Sequence, residues 1–163
     1  MKTLLSLLAL AIALSIVNAG VSCADDTLDL DKAIKVGSGK TMVIEFTDPD
    51  CPYCRKAEEF FGKRTDVTRY IFLGSLPMHP EAPAKVEYIL SAADGAAAYT
   101  AVMGGSLDGK SPQGITEKGK KLAEVHRLNA QKSGVNGMPT FIISGVIVVG
   151  LDMNRIGRFF PKE

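Results

Sequence analysis

Cys51 and Cys54, separated by Pro52 and Tyr53, carry the strongest chemical signal in the chain. Two sulfurs one helical turn apart can bond to each other and exchange that bond with outside thiols. The residues before them, Thr41 to Phe46, read as a central strand. Those after them, Pro52 to Phe61, read as a helix that stops at Gly62 and aligns Tyr53, Ala57, Phe60 and Phe61 on one face. Cys51 then falls at the helix N-cap. Pro52 occupies the first helical position, where its missing N–H costs nothing. Unpaired backbone N–H groups and the helix dipole point at Cys51 and favour its thiolate. Cys51 is therefore the candidate attacking sulfur and Cys54 the candidate resolving one. Three other readings of the pair stand beside this one: half of a zinc site, an inert bridge, or coincidence. A second CxxC is missing, and the two histidines, His79 and His126, have no ligand spacing between them. A bridge closing so short a loop constrains the unfolded chain little. Redox chemistry is the favoured reading, and metal binding or delivery by the two thiols is the alternative.

The remaining pattern is α/β. Arg69 to Leu73 reads as a second strand, and Val86, Ile89, Leu90 and Ala93 mark a helix. Ala96 to Met103 reads as another helix and Ser106 to Gly114 as loop. A longer helix, capped by Thr116, runs to Ser133 and stops at Gly134. Thr140 to Ser144 and Val146 to Val149 form a hairpin around Gly145, and Asp152 to Phe160 is a closing helix. Leu30 to Val36 reads as a short helix within a leader spanning residues 20–40. This order predicts a four-stranded mixed sheet with helices on both faces. Val36-Gly37-Ser38-Gly39-Lys40-Thr41 looks like the end of a phosphate-binding loop, but it precedes a strand where that motif must follow one.

The chain has 163 residues, with 19 Lys and Arg against 18 Asp and Glu, so it shows none of the basic excess of a nucleic-acid clamp. Its front end, Lys2 followed by the apolar run Leu4 to Val17, is too short to span a bilayer and fits a signal peptide. Val17-Asn18-Ala19 offers the small residues for cleavage, giving a signal peptide over 1–19 and an exported protein. Gly20-Val21-Ser22-Cys23 is a poor lipoprotein box, so Cys23 is read as an unlipidated leader cysteine rather than an anchor.

Beyond these readings, Val43-Ile44-Glu45-Phe46-Thr47-Asp48-Pro49-Asp50-Cys51-Pro52-Tyr53-Cys54 resembles the thioredoxin superfamily, and within it the DsbC/DsbG group of periplasmic thiol:disulfide interchange proteins. Gly134-Val135-Asn136-Gly137-Met138-Pro139-Thr140-Phe141 is similar to that group's second signature, a turn ending in a cis-proline. The section from about 81 to 133 is similar to its helical insertion. The resemblance implies a thioredoxin-like domain over 41–163 and a Cys51–Cys54 pair that cycles between dithiol and disulfide without another cofactor. It implies that Pro139 is cis and that Met138, Pro139, Pro52 and Tyr53 contact substrate. The implied partners are cysteine-containing secreted proteins and a membrane redox partner that resets the pair.

Three departures from the group shape further expectations. Met138 stands where DsbC-like proteins have Thr, so the redox potential does not carry over. Glu45 lies where thioredoxin and DsbA have a buried acid and DsbC an apolar residue. Within a strand buried on both faces an unpaired carboxylate is costly, which makes Glu45 a candidate acceptor of the Cys54 proton through water. The group's N-terminal dimerisation domain has no counterpart before Thr41, so the expected state is monomeric.

Overall fold

A computed structural model describes residues 28–160. The expected signal peptide over 1–19, its cleavage site and Cys23 lie outside these residues. Five strands form one sheet: β1 (Ile34–Gly37), β2 (Thr41–Thr47), β3 (Val67–Leu73), β4 (Thr140–Ile143) and β5 (Val146–Val149). Their order across the sheet is β1-β3-β2-β4-β5. Only β2 and β3 run parallel, joined through helix α1 (Pro52–Phe61), and the other pairs are antiparallel. Helices α2 (Ala82–Ser91), α3 (Gly95–Met103) and α4 (Glu117–Lys132) fill the interval between β3 and β4.

The expected four strands become five because Leu30 to Val36 is not a helix. Leu30–Lys32 makes one 3-10 turn, and Ile34–Gly37 pairs antiparallel with β3, Ile34 opposite Ile71. Without β1, strand β3 would expose a row of unpaired N–H and C=O groups. The Gly37-Ser38-Gly39 stretch then carries the chain across the start of β3. Gly37 has φ +81°, and a Cβ on Gly39 would collide with the Asp66 and Val67 backbone. The glycines that imitate a phosphate loop are there for this close crossing. The closing helix also differs: α5 spans only Met153–Ile156 and passes at Gly157 into a 3-10 turn.

Strand alternation assigns the faces. Val43, Glu45 and Thr47 of β2 share one face with Arg69, Ile71 and Leu73 of β3, and α1, α2 and α3 pack there. Ile44, Phe46 and Phe72 lie on the other face with Ala130 of α4. Thr116 caps α4 through its hydroxyl, which accepts from Gly119 N–H. The β4–β5 hairpin turns on Ser144 and Gly145, both at positive φ, as a two-residue type I′ turn demands. None of the described helices is long and apolar enough to cross a membrane.

His126 fastens α4 to the rest. Fully buried, its Nε2–H donates to the Lys32 carbonyl at 2.7 Å, and its Nδ1 accepts from Leu73 N–H at 2.9 Å. Both nitrogens are used in the neutral form, and burial pushes the imidazole from 6.5 down to about 4. A depressed histidine contributes stability that is complete above its unfolded value and is lost as pH falls through 6.5 toward 4. That interval corresponds to about 3 kcal/mol. Urea unfolding at pH 7, 5.5 and 4.5 is expected to show this decline, and His126→Gln to flatten it.

Candidate active site

At the C-terminal end of β2 the chain turns through Asp48, Pro49 and Asp50 into α1. Asp48 is fully buried and organises the turn. Its Oδ1 accepts from Asp50 N–H at 2.7 Å, and its Oδ2 accepts from Leu76 N–H at 2.6 Å and lies 2.9 Å from His79 Nδ1. One carboxylate thereby fixes both the approach to Cys51 and the loop after β3. His79 lies at this junction, held by Asp48.

Cys51 is the N-cap of α1, Pro52 follows inside the first turn, and the Cys51 side chain makes no capping bond of its own. The first N–H groups of the helix therefore remain without a side-chain partner from Cys51. Both cysteines are free thiols. The Cys51 thiol donates to the Met138 carbonyl at 3.7 Å, and the Met138–Pro139 peptide bond is cis. Only 3% of Cys51 is exposed, whereas neighbouring Tyr53 is 60% exposed. Half-buried Met138 packs against Gly74, its Cε filling the place a Cβ would take.

Cys54 has the opposite environment. It is wholly buried, and its sulfur accepts from Asp48 N–H at 3.4 Å. Burial raises its pKa far above that of an ordinary thiol, and the Thr47 hydroxyl and Asp48 N–H oppose that rise only in part.

Beneath the pair lies a charge cluster. Glu45 is fully buried. Its Oε2 accepts from Arg69 Nη1 at 3.2 Å and its Oε1 from the Tyr99 hydroxyl at 3.4 Å. The same Arg69 nitrogen donates to Glu58 Oε2 at 2.5 Å. Two carboxylates thus share one guanidinium. Burial raises the Glu45 pKa, Arg69 opposes this, and Glu58 adds to it. The expected Glu45 carboxylate is therefore buried as the sequence indicates, but it is partnered.

A second network joins the helical insertion to the first turn of α1. Buried Lys85 of α2 donates to Asp50 Oδ1 at 2.6 Å. Arg55 forms a two-pronged pair with Asp108, at 2.6 and 2.7 Å, and donates from Nε to the Pro49 carbonyl at 2.8 Å. Arg69, Lys85 and Asp48 were not picked out as site residues by sequence reasoning. The available signal was Arg69, a lone cation within the otherwise strand-like Val67–Leu73. Among the described residues no group of three or more His, Cys, Asp or Glu side chains converges as a metal site.

Comparisons with known proteins agree with this geometry. A thioredoxin-like domain family matches residues 28–150. A curated relative, the probable thiol:disulfide interchange protein DsbC of Bordetella avium, is 38% identical over 87 residues, which are 52% of this chain and 30% of that protein. The match thus spans less than a third of that relative's length. The crystal structure of a disulfide interchange protein from Neisseria gonorrhoeae is 36% identical with a TM-score of 0.65, covering 80% of this chain and 96% of that one. Proteus mirabilis ScsC in a transitional conformation shares the fold at 22% identity and TM-score 0.65, covering 80% and 71% respectively.

Arg69→Met removes the cation that Glu45 and Glu58 share. A loss of about 3–5 kcal/mol is expected at neutral pH. The loss should shrink in acid, where protonation relieves the raised Glu45 carboxyl; paired urea titrations at pH 7 and 5 measure both effects.

Proposed function

We propose that this chain, which belongs to the thioredoxin-like domain family, is an exported thiol:disulfide oxidoreductase acting on cysteines of other secreted proteins. The observation that carries this reading is the asymmetry of the sulfurs. Cys51 caps the start of α1 beside the Met138–Pro139 backbone, while Cys54 lies in the dry interior one turn below. Both sulfurs are buried, but only Cys51 stands at the helix N-terminus, which favours an anion. Cys51 therefore engages an incoming disulfide first, and Cys54 keeps its proton until that step is complete.

In the reducing direction the Cys51 thiolate attacks a substrate disulfide. A Cys51–substrate bond forms, and the first substrate thiolate leaves. Cys54 then gives up its proton, Glu45 being the proposed acceptor, and attacks the Cys51 sulfur. A Cys51–Cys54 bond forms, and the second substrate thiolate departs. Oxidation is the reverse sequence. In isomerisation another substrate thiol attacks the mixed disulfide before Cys54 does. The resemblance to DsbC-type proteins favours the isomerase and reductase directions. A membrane redox partner is proposed to return the pair to the dithiol, and the protein is proposed to act as a monomer in the periplasm.

Pro52 and Tyr53 beside Cys51 are exposed, and Met138, whose carbonyl the Cys51 thiol reaches, is half-buried. This surface suits a partly unfolded substrate with apolar residues near its cysteine, lying along the Met138 backbone. Insulin reduction by the intact protein, lost on Cys51→Ala, is the expected result. Cys54→Ala is expected to accumulate mixed disulfides that Cys51→Ala does not form, visible on non-reducing gels. Equilibration of the pair against glutathione fixes the direction. A pair that neither reduces insulin nor exchanges with glutathione disulfide would overturn the proposal.

A further inference from the structure

Thr47 is the last residue of β2 and points to the same face as Glu45, two positions earlier. It is completely buried, and its Oγ1 has no hydrogen-bond partner. Buried hydroxyls are nearly always partnered, and valine would fill the same space without an orphaned polar atom. The next residue along, Asp48, gives its N–H to Cys54, so this end of β2 lies directly against the inner sulfur. The Thr47 hydroxyl favours the charged form of both Cys54 and Glu45, as a donor beside each would.

We propose that the Thr47 hydroxyl carries the proton between Cys54 and Glu45, resting on the thiol-exchange reading above. A hydroxyl is suited to this because it donates one hydrogen, accepts through two lone pairs and rotates freely. In the resolving step the Cys54 S–H proton passes to Thr47 Oγ1 as the Oγ1–H proton passes to the Glu45 carboxylate. Thr47 ends unchanged and Glu45 ends as a carboxylic acid. The Cys54 electron pair forms the bond to the Cys51 sulfur, and the Cys51–substrate bond breaks, its electrons leaving with the substrate thiolate. The water expected from sequence is then unnecessary.

The surrounding charges suit a returning proton. Arg69 from β3 and Tyr99 from α3 hold the Glu45 oxygens, and Glu58 from α1 competes for Arg69. Two carboxylates against one guanidinium leave a surplus negative charge that one proton neutralises. Cys51 is the other titratable group beside Cys54. The Asp48 carboxylate is turned away, toward Leu76 N–H and His79.

Dithiobis(nitrobenzoate) separates the two half-steps of the full-length reduced protein once the third cysteine is removed by Cys23→Ser in the parent and in every variant. The first nitrothiobenzoate released reports attack by Cys51, and the second reports resolution by Cys54. In Thr47→Val the ratio of second to first rate is expected to fall at least about tenfold at neutral pH, with the second-step profile displaced to higher pH. Thr47→Ser, which restores the hydroxyl, is expected to recover most of that rate. Thr47→Val combined with Glu45→Gln should be no slower than the slower single variant, because both interrupt one path. An unchanged second step in Thr47→Val, or a Thr47→Ser as slow as Thr47→Val, would overturn the relay. Absence of any rapid first release from the parent protein would instead overturn the exchange reading, and the relay with it.

Discussion

The structure depends on holding two buried sulfurs one helical turn apart, only one of them at a helix N-terminus. Cys51 stands where the N–H groups of α1 emerge, and Cys54 stands where α1 meets the sheet. A few ångströms separate a sulfur beside the helix N–H groups from one inside the first turn. The two thiols differ in setting without any change of residue type. This requires the start of α1 to be fixed against β2, and buried Asp48 provides this by tying Asp50, Leu76 and His79 to one carboxylate.

Burial also explains the ionic cluster around Glu45. Desolvating Glu45 alone would be costly, so Arg69 is drawn in with it, and Arg69 in turn draws Glu58 from α1. The pairing stops short of neutrality. An interior designed only for stability would match the charges or omit them, since buried ion pairs seldom outperform apolar packing. The excess carboxylate is instead the feature on which the proposed proton transfer rests.

Much of the scaffold was legible because its signals are local. Pro52 at the start of α1, Thr116 before α4 and Gly145 in the hairpin each act within a few residues. β1 was not legible. Ile34 to Gly37 is extended because β3 offers an open edge more than thirty residues away, and no local pattern reports that edge. The same distinction holds at the site. Cys51 and Cys54 announce themselves by spacing, and Glu45 by its place in an apolar strand. The partnership of Glu45 with Arg69 depends on the parallel register that sets Val43 beside Arg69 and Glu45 beside Ile71. Register is a property of the assembled sheet. Thr47 passed unnoticed for a related reason: a threonine ending a strand is ordinary until its hydroxyl is found buried without a partner.

The helical insertion belongs to the same electrostatic design. Lys85 is almost fully buried, yet its ammonium reaches Asp50, the residue immediately before Cys51, and lies within 3.6 Å of Glu81 and 3.8 Å of Asp108. Arg55, one residue beyond Cys54, holds Asp108 from the other side. The insertion is therefore joined to the first turn of α1 by charged groups rather than by apolar contact alone. Ion pairs with a buried partner are directional and tolerate little displacement. A movement of α2 relative to α1 would separate Lys85 from Asp50 and disturb the turn that presents Cys51. The position of Cys51 is thus held from both sides, by Asp48 within the turn and by Lys85 from the insertion.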